Sequence, residues 1–335
     1  MKKISFAAVL ALVALLCGCG KSTAETLPAS GNSFVLNTIA SITIYESDGK
    51  EKPSELINEA FSICENYERL LSRTIEESDV GKLNKGSGEP VLVSDETKYL
   101  IEQAIYYSEI SDGAFDITIA PASILWDFAS DNPSPPDNYE LTEALKHINY
   151  KNICFEENGI SLKNGAKIDL GGIAKGYIAD KLSEYLKEHG VKSAIINLGG
   201  NIYALGSKNG GAFSIGIQKP FGGVSELSGV VHVSDTSVVT SGTYERYFEY
   251  EGKIYHHILD PKTGMPVYND IESVTIICHS SLSADALSTA AFVLGSEKGL
   301  QLIESLKDTE AVFILSNGEI LTTSGIGSKI KFDEN

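Results

Sequence analysis

Apolar residues recur along this chain with two periods. Residues 33–45, SFVLNTIASITIY, are rich in β-branched side chains and read as one strand. Residues 53–71 carry Leu56, Ala60, Ile63, Tyr67 and Leu70 at helical spacing, which predicts an amphipathic helix. A second helix is expected over 94–111, with Ser94 or Asp95 as its N-cap. The run DNPSPPDN, 131–138, is a flexible loop. Residues 166–170 read as a short strand, and 173–189 as a helix closed by Gly190. Beyond that point the pattern turns to β. Strands are expected at 194–198, 202–205, 213–217, 229–233, 244–250, 253–259 and 273–278, separated by turns rich in Gly, Asn and Asp. Helices follow at 282–294 and 297–306, and the hairpin AVFILSNGEILTTS turns at Asn317–Gly318. Strands and helices mix without strict βαβ alternation. The expected class is therefore α+β, with mixed, largely antiparallel sheets and packed helices.

The first residues stand outside this pattern. Lys2 and Lys3 precede the apolar run ISFAAVLALVALL, the layout of an export signal and short for a membrane span. Leu16-Cys17-Gly18-Cys19 resembles the lipobox of bacterial lipoproteins, which would make Cys19 the lipidated mature N-terminus. Plain secretion with two incidental cysteines is the alternative. The expected organisation is a signal peptide over 1–18, a polar tether over 19–32 and one domain over 33–335, anchored at the extracytoplasmic membrane face. The 335 residues are 42% hydrophobic and 21% charged, which suits a globule with a substantial core. The net charge of −18 argues against a nucleic-acid partner. Cys64, Cys154 and Cys278 are widely spaced and suggest neither a disulfide framework nor zinc ligands.

Four stretches could carry chemistry. In DLGGIAKGYIAD, 169–180, Gly171 and Gly172 open a helix and Lys175 adds a cation one turn in. The free N–H groups and positive dipole end suit a phosphate. Tight helix–strand packing explains the glycines equally well on spacing alone. In SADALSTAAFVLG, 283–295, Asp285 and Thr289 stand four residues apart on one helix face. They could converge as hard ligands for Mg²⁺, or serve as helix-end stabiliser and back-bonded hydroxyl. In KIYHHILDPKTGMP, 253–266, a strand would point His256 and His257 to opposite faces, which makes a shared ion unfavourable. The turn that follows exposes Asp260 and Thr263. SDGAFDITIAPASILWDF, 111–128, holds the sole tryptophan, Trp126, and could line a ring-binding cleft or a core. No GxSxG elbow is present.

Taken together and in order, these pieces resemble the ApbE family of FAD:protein FMN transferases. The matching segments are LNTIASITIY, SRTIEESDVGKLN, SDGAFDITIAPASILWDF, IDLGGIAKGYIADKL, INLGGNIYALG, TSGTYERYF, YHHILDPKTGMP and SADALSTAAFVLG. The resemblance runs from about residue 33 to the C-terminus. It implies an ApbE-like fold and Mg²⁺-dependent transfer of FMN from FAD to a Ser or Thr hydroxyl of an acceptor protein, with AMP leaving. It implies Asp285, Thr289 and the Ala174 carbonyl as metal ligands, and His257 near the flavin phosphate. It places Ser72, Asn84 and Asp180 near bound FAD, and the local reading adds Gly171, Gly172, Lys175 and Thr263. His257 is the expected proton acceptor, with Asp285 second through a metal-bound water. The acceptors implied are extracytoplasmic subunits of electron-transfer complexes or flavin-carrying redox proteins. Two departures stand out: Leu36-Asn37-Thr38 where the family often has Met-Gly-Thr, and Pro121-Ala122 where it often has Pro-Leu. An FAD pyrophosphatase, or a flavin-binding lipoprotein without activity, are the competing readings.

Overall fold

The computed structural model describes residues 26–335 apart from Val224. The expected signal peptide, Cys19 and the start of the tether lie outside the described residues.

The chain opens with a hairpin, β1 (Ala29–Val35) and β2 (Thr38–Ser47). Residues 33–45, expected as one strand, are two. Leu36 and Asn37 both hold φ of 55°, left-handed positions that reverse the chain in two residues. β1 begins inside the stretch expected as tether, because Gly31 lets it lie against the first helix. A Cβ there would sit 2.6 Å from Ile57 Cγ2.

Helices α1 (Pro53–Leu71), α2 (Asp79–Lys85), α3 (Asp95–Ile110), α4 (Ala120–Trp126) and α5 (Asn138–Leu145) follow. Ser94 caps α3, its Oγ accepting the Thr97 N–H at 3.2 Å. A small hairpin, β3 (Ile153–Glu156) and β4 (Gly159–Leu162), leads to α6 (Ala174–Glu188). The strand expected at 166–170 joins no ladder. A side chain stands in for the neighbouring strand: Asn84 Nδ2 donates to Ile168 O at 2.9 Å, and Ile168 N donates back to Asn84 Oδ1 at 2.7 Å.

The β-rich half contains β5 (Val191–Leu198), β6 (Asn201–Gly206), β7 (Phe213–Gln218), β8 (Leu227–Val233) and β9 (Thr236–Gly242). A short hairpin, β10 (Tyr247–Tyr250) and β11 (Lys253–His256), precedes β12 (Ile271–Cys278). The two hairpin strands are shorter than the alternation suggested. Glu245 N–H turns back onto Gly242 O at 3.4 Å, so the ladder starts only at Tyr247. Helices α7 (Ser281–Leu294) and α8 (Ser296–Glu304) and strands β13 (Thr309–Leu315), β14 (Ile320–Thr322) and β15 (Lys331–Glu334) complete the chain.

One eight-stranded sheet, ordered β1-β2-β5-β6-β9-β12-β13-β14, runs through the molecule, every neighbouring pair antiparallel. Its inner face packs on α1, α3, α6 and α7 through side chains such as Leu56, Leu100, Leu182 and Phe292. The three-stranded sheet β15-β8-β7 covers its outer face through Phe213, Ile215 and Val231. β12 is buried on both faces, with Val274 and Ile276 inward and Ile277 outward. Each such side chain contributes about 1.5–3 kcal/mol on burial. The fold class is the α+β arrangement expected, and it sets the N-termini of α6 and α7 across each other at one end of the sheet.

Candidate active site

The crossing of α6 and α7 is made by Gly176. A Cβ there would lie 2.2 Å from Ser281 O and 2.8 Å from Asp285 Cβ, so no other residue fits without moving the helices apart. The close approach expected of Gly171 and Gly172 is therefore made four residues after Gly172, and between two helices. Gly172 has its own neighbours: a Cβ would stand 3.1 Å from Phe115 Cε2 and 3.8 Å from Thr289 Oγ1.

Asp285 is 5% exposed, and its Oδ2 accepts the Gly176 N–H at 2.8 Å. The end of α7 does not need it. Ser280 Oγ accepts the Ser283 N–H at 3.2 Å, and the Asp180 carboxylate accepts the N–H groups of Ser281 and Leu282 at 2.7 and 3.0 Å. Nor is Thr289 bonded back into the helix, whereas the neighbouring Ser288 hydroxyl donates to Asp285 O at 2.9 Å. The two structural roles weighed for this pair thus fall to other residues. The Asp285 carboxylate, the Thr289 hydroxyl facing the glycine turn and the Ala174 carbonyl at the head of α6 are all hard oxygens, the donor type that Mg²⁺ takes. No cluster of three His, Cys, Asp or Glu occurs among the described residues.

Lys175 and Glu245 act on Asp285, and His257 and Arg246 act on them in turn. Burial raises the pKa of Asp285, and Lys175 offsets part of the rise. The same ammonium acts on Glu245 and His257, and Arg246 acts on both of these as well. Glu245 is exposed at the residue level, yet the packing around its carboxyl pushes it up to about 7 against the pull of Lys175. Loss of water, then the Arg246 and Lys175 cations, push His257 down to about 3. His257 is therefore neutral at physiological pH. Its Nδ1–H donates to Arg246 O at 3.2 Å, which leaves the Nε2 lone pair unspent. His256 points the other way, as strand alternation requires. It is 2% exposed, donates from Nε2 to Val267 O at 2.7 Å and packs on Phe292 and Tyr268.

The remaining expected site residues divide into supports and outliers. Asp169 accepts the Gly171 N–H at 2.9 Å and pairs with Arg73 Nε at 2.7 Å, fixing the glycine turn to the end of α1. Ser72, beside Arg73, ends α1 and pairs its hydroxyl with Thr74 at 2.9 Å. Both ends of the Asn84 amide are spent on Ile168, and Asp180 is spent on α7, so both hold backbone in place. Thr263 sits on an exposed turn, where its Oγ1 accepts the Met265 N–H at 3.3 Å; none of its contacts reaches the Asp285 cleft. That turn packs on Trp126, whose Nε1–H donates to Gly264 O at 2.7 Å, and Trp126 is core with Phe248 and Leu259. Arg73, Glu245 and Arg246 were not singled out from the sequence. The last two lie in TSGTYERYF, where their charges flank a strand end, the one local signal available. A separate groove of about 360 Å³ is lined by Asp95, Glu96, Tyr99, Asp180, Lys181 and Glu184. Its acidic wall opposes a pyrophosphate, so the Lys175 cleft is the better anion site.

Comparison with known proteins shows the family. The model of the ApbE family matches residues 36–313. The FAD:protein FMN transferase of Treponema pallidum is 35% identical over 341 residues, covering 96% of this chain and 94% of that protein. A Klebsiella pneumoniae FAD:protein FMN transferase is 39% identical over 273 residues, covering 80% and 85%. Among solved structures, the ApbE protein of Thermotoga maritima superposes with a TM-score of 0.82 at 35% identity, covering 88% of this chain and 97% of that one. The flavinyl transferase ApbE of Pseudomonas stutzeri gives a TM-score of 0.78 at 28% identity, covering 88% and 94%.

Proposed function

The chain belongs to the ApbE family and is a flavin transferase that uses FAD, and from that premise we propose that it moves FMN onto a Ser or Thr hydroxyl of an extracytoplasmic acceptor protein in an Mg²⁺-dependent reaction. The observation that carries the reading is the close crossing of α6 and α7 at Gly176, whose N–H holds the buried Asp285 carboxylate, with Lys175 and the neutral His257 imidazole near by.

In this reading Lys175 and the head of α6 hold the pyrophosphate of FAD. The acceptor hydroxyl attacks the FMN phosphorus, the bond to the AMP oxygen breaks, and a phosphoester forms. His257 Nε2 takes the hydroxyl proton, its ring held in that tautomer by the Arg246 carbonyl. Asp285, Thr289 and the Ala174 carbonyl would hold Mg²⁺, which supplies positive charge to the pyrophosphate oxygens when bound. Gly176 N–H and the caps of α7 keep the Asp285 carboxylate aimed at that place. The lipobox-like Cys19 supports an exported enzyme anchored by lipid, with acceptors among electron-transfer subunits or flavin-carrying redox proteins at the same membrane face.

The test is to incubate the chain with FAD, Mg²⁺ and an acceptor domain carrying a Ser/Thr flavinylation motif, then weigh the acceptor by intact mass. A gain of one FMN less water, abolished by EDTA, supports the transferase. AMP and free FMN without that gain would indicate pyrophosphatase activity, and no AMP at all a flavin binder.

A further inference from the structure

Asn201 opens β6 at the site end of the sheet and is 1% exposed. Its Oδ1 accepts the Ser281 hydroxyl at 2.7 Å, and Ser237 Oγ donates to Ser281 Oγ at 2.8 Å. Both serines are fully buried. Its Nδ2, by contrast, completes no hydrogen bond. Ser281, its hydrogen-bond partner, stands one turn before Asp285 on α7, which sets the amide beside that carboxylate. The orientation is forced: turned over, the amide would set oxygen against carboxylate oxygen. A buried donor left unspent is disfavoured unless something else in the working molecule takes it up.

We propose that Asn201 is a positioning residue for Asp285: its Nδ2 closes on the carboxylate when a divalent cation is taken up, and Ser281 and Ser237 hold the amide donor-forward. The argument rests on Asp285 being the metal carboxylate. Gly176 N–H already restrains the carboxylate through Oδ2. A second restraint from Asn201 narrows the directions in which the carboxylate can meet the ion, the usual role of a partner behind a metal ligand.

The test is Mn²⁺ binding to the full chain without FAD, followed by the electron paramagnetic resonance signal of the free ion. Asn201→Leu, similar in size and without a donor, is expected to weaken Mn²⁺ binding about 10–100-fold, with a melting temperature lowered by the lost acceptor of Ser281 but a folded chain at the temperature of the assay. Ser281→Ala, which frees the amide to turn, is expected to weaken it less, in the same direction. Wild-type affinity in both variants, with binding lost in Asp285→Ala, would overturn the role of Asn201 alone. Wild-type affinity in Asp285→Ala would remove the metal assignment and the proposal with it. If Asn201→Leu does not fold, Ser281→Ala decides: unchanged Mn²⁺ affinity there overturns the proposal.

Discussion

Asp285 and His257 fail in different ways when removed. Asp285→Ala deletes the one carboxylate of the oxygen set and is expected to lower metal-dependent FMN transfer by at least about 100-fold, as read by acceptor mass. His257→Ala takes away the unspent Nε2, so transfer should fall about 10²–10⁴-fold while FAD still binds, as read by flavin fluorescence titration. If FAD binding collapses instead, His257 is a positioning group. Glu245 makes the site sensitive to pH. With its pKa pushed up to about 7, it is neutral below that value and a carboxylate above it. The pyrophosphate is anionic throughout, so FAD should bind more weakly as pH rises from 6 to 8. Glu245→Gln should flatten that dependence, and titrations at the two pH values check it. The Asp285/Thr289 pair was legible because helical spacing alone sets them on one face. Glu245 and Asn201 were not, because their significance comes from elements that meet only in the folded sheet. That Asp285 is not needed as a cap was equally hidden: its helix is capped by Asp180 from another helix, which no local pattern announces.

Between elements, the decisive contact is backbone on backbone. Gly176→Ala would drive a Cβ to 2.2 Å from Ser281 O, and a carbonyl locked in a helix cannot step aside as a side chain can. The expected cost is about 1–3 kcal/mol of stability, seen as a lower melting temperature. Because Asp285 rides on the same helix, Mg²⁺-dependent transfer should fall further than stability alone explains. Equal melting curves with full activity would show that α6 and α7 can separate freely. Most helices were legible from periodicity, since their buried stripes face a single sheet. The elements that misled did so for physical reasons. Residues 33–45 look like one strand because the turn is made by Leu36 and Asn37 and not by glycine. Asn tolerates a left-handed φ, while Leu is carried there by the pairing on either side. Residues 166–170 look like a strand because they are extended, yet their partner is the Asn84 side chain.

On the scale of the whole molecule, the question is where the folded unit begins. β1 is the outermost strand of the eight-stranded sheet, and Val35 and Gly31 tie it to the inner core and to α1. A chain starting at residue 26 keeps every one of those contacts, so it should melt and transfer FMN as the full chain does. A chain starting at residue 38 loses β1, bares the long edge of β2 and uncovers Ile57 and Phe61 on α1. Its melting temperature should drop by roughly 5–10 °C, on the scaling of stability with domain size, and light scattering should reveal association through the new edge. An unchanged melt in the shorter chain would place the start of the folded unit at β2. The comparison also bears on anchoring. An enzyme held to a membrane by its first residues must complete its fold without them, and full activity from residue 26 onward is what that arrangement requires.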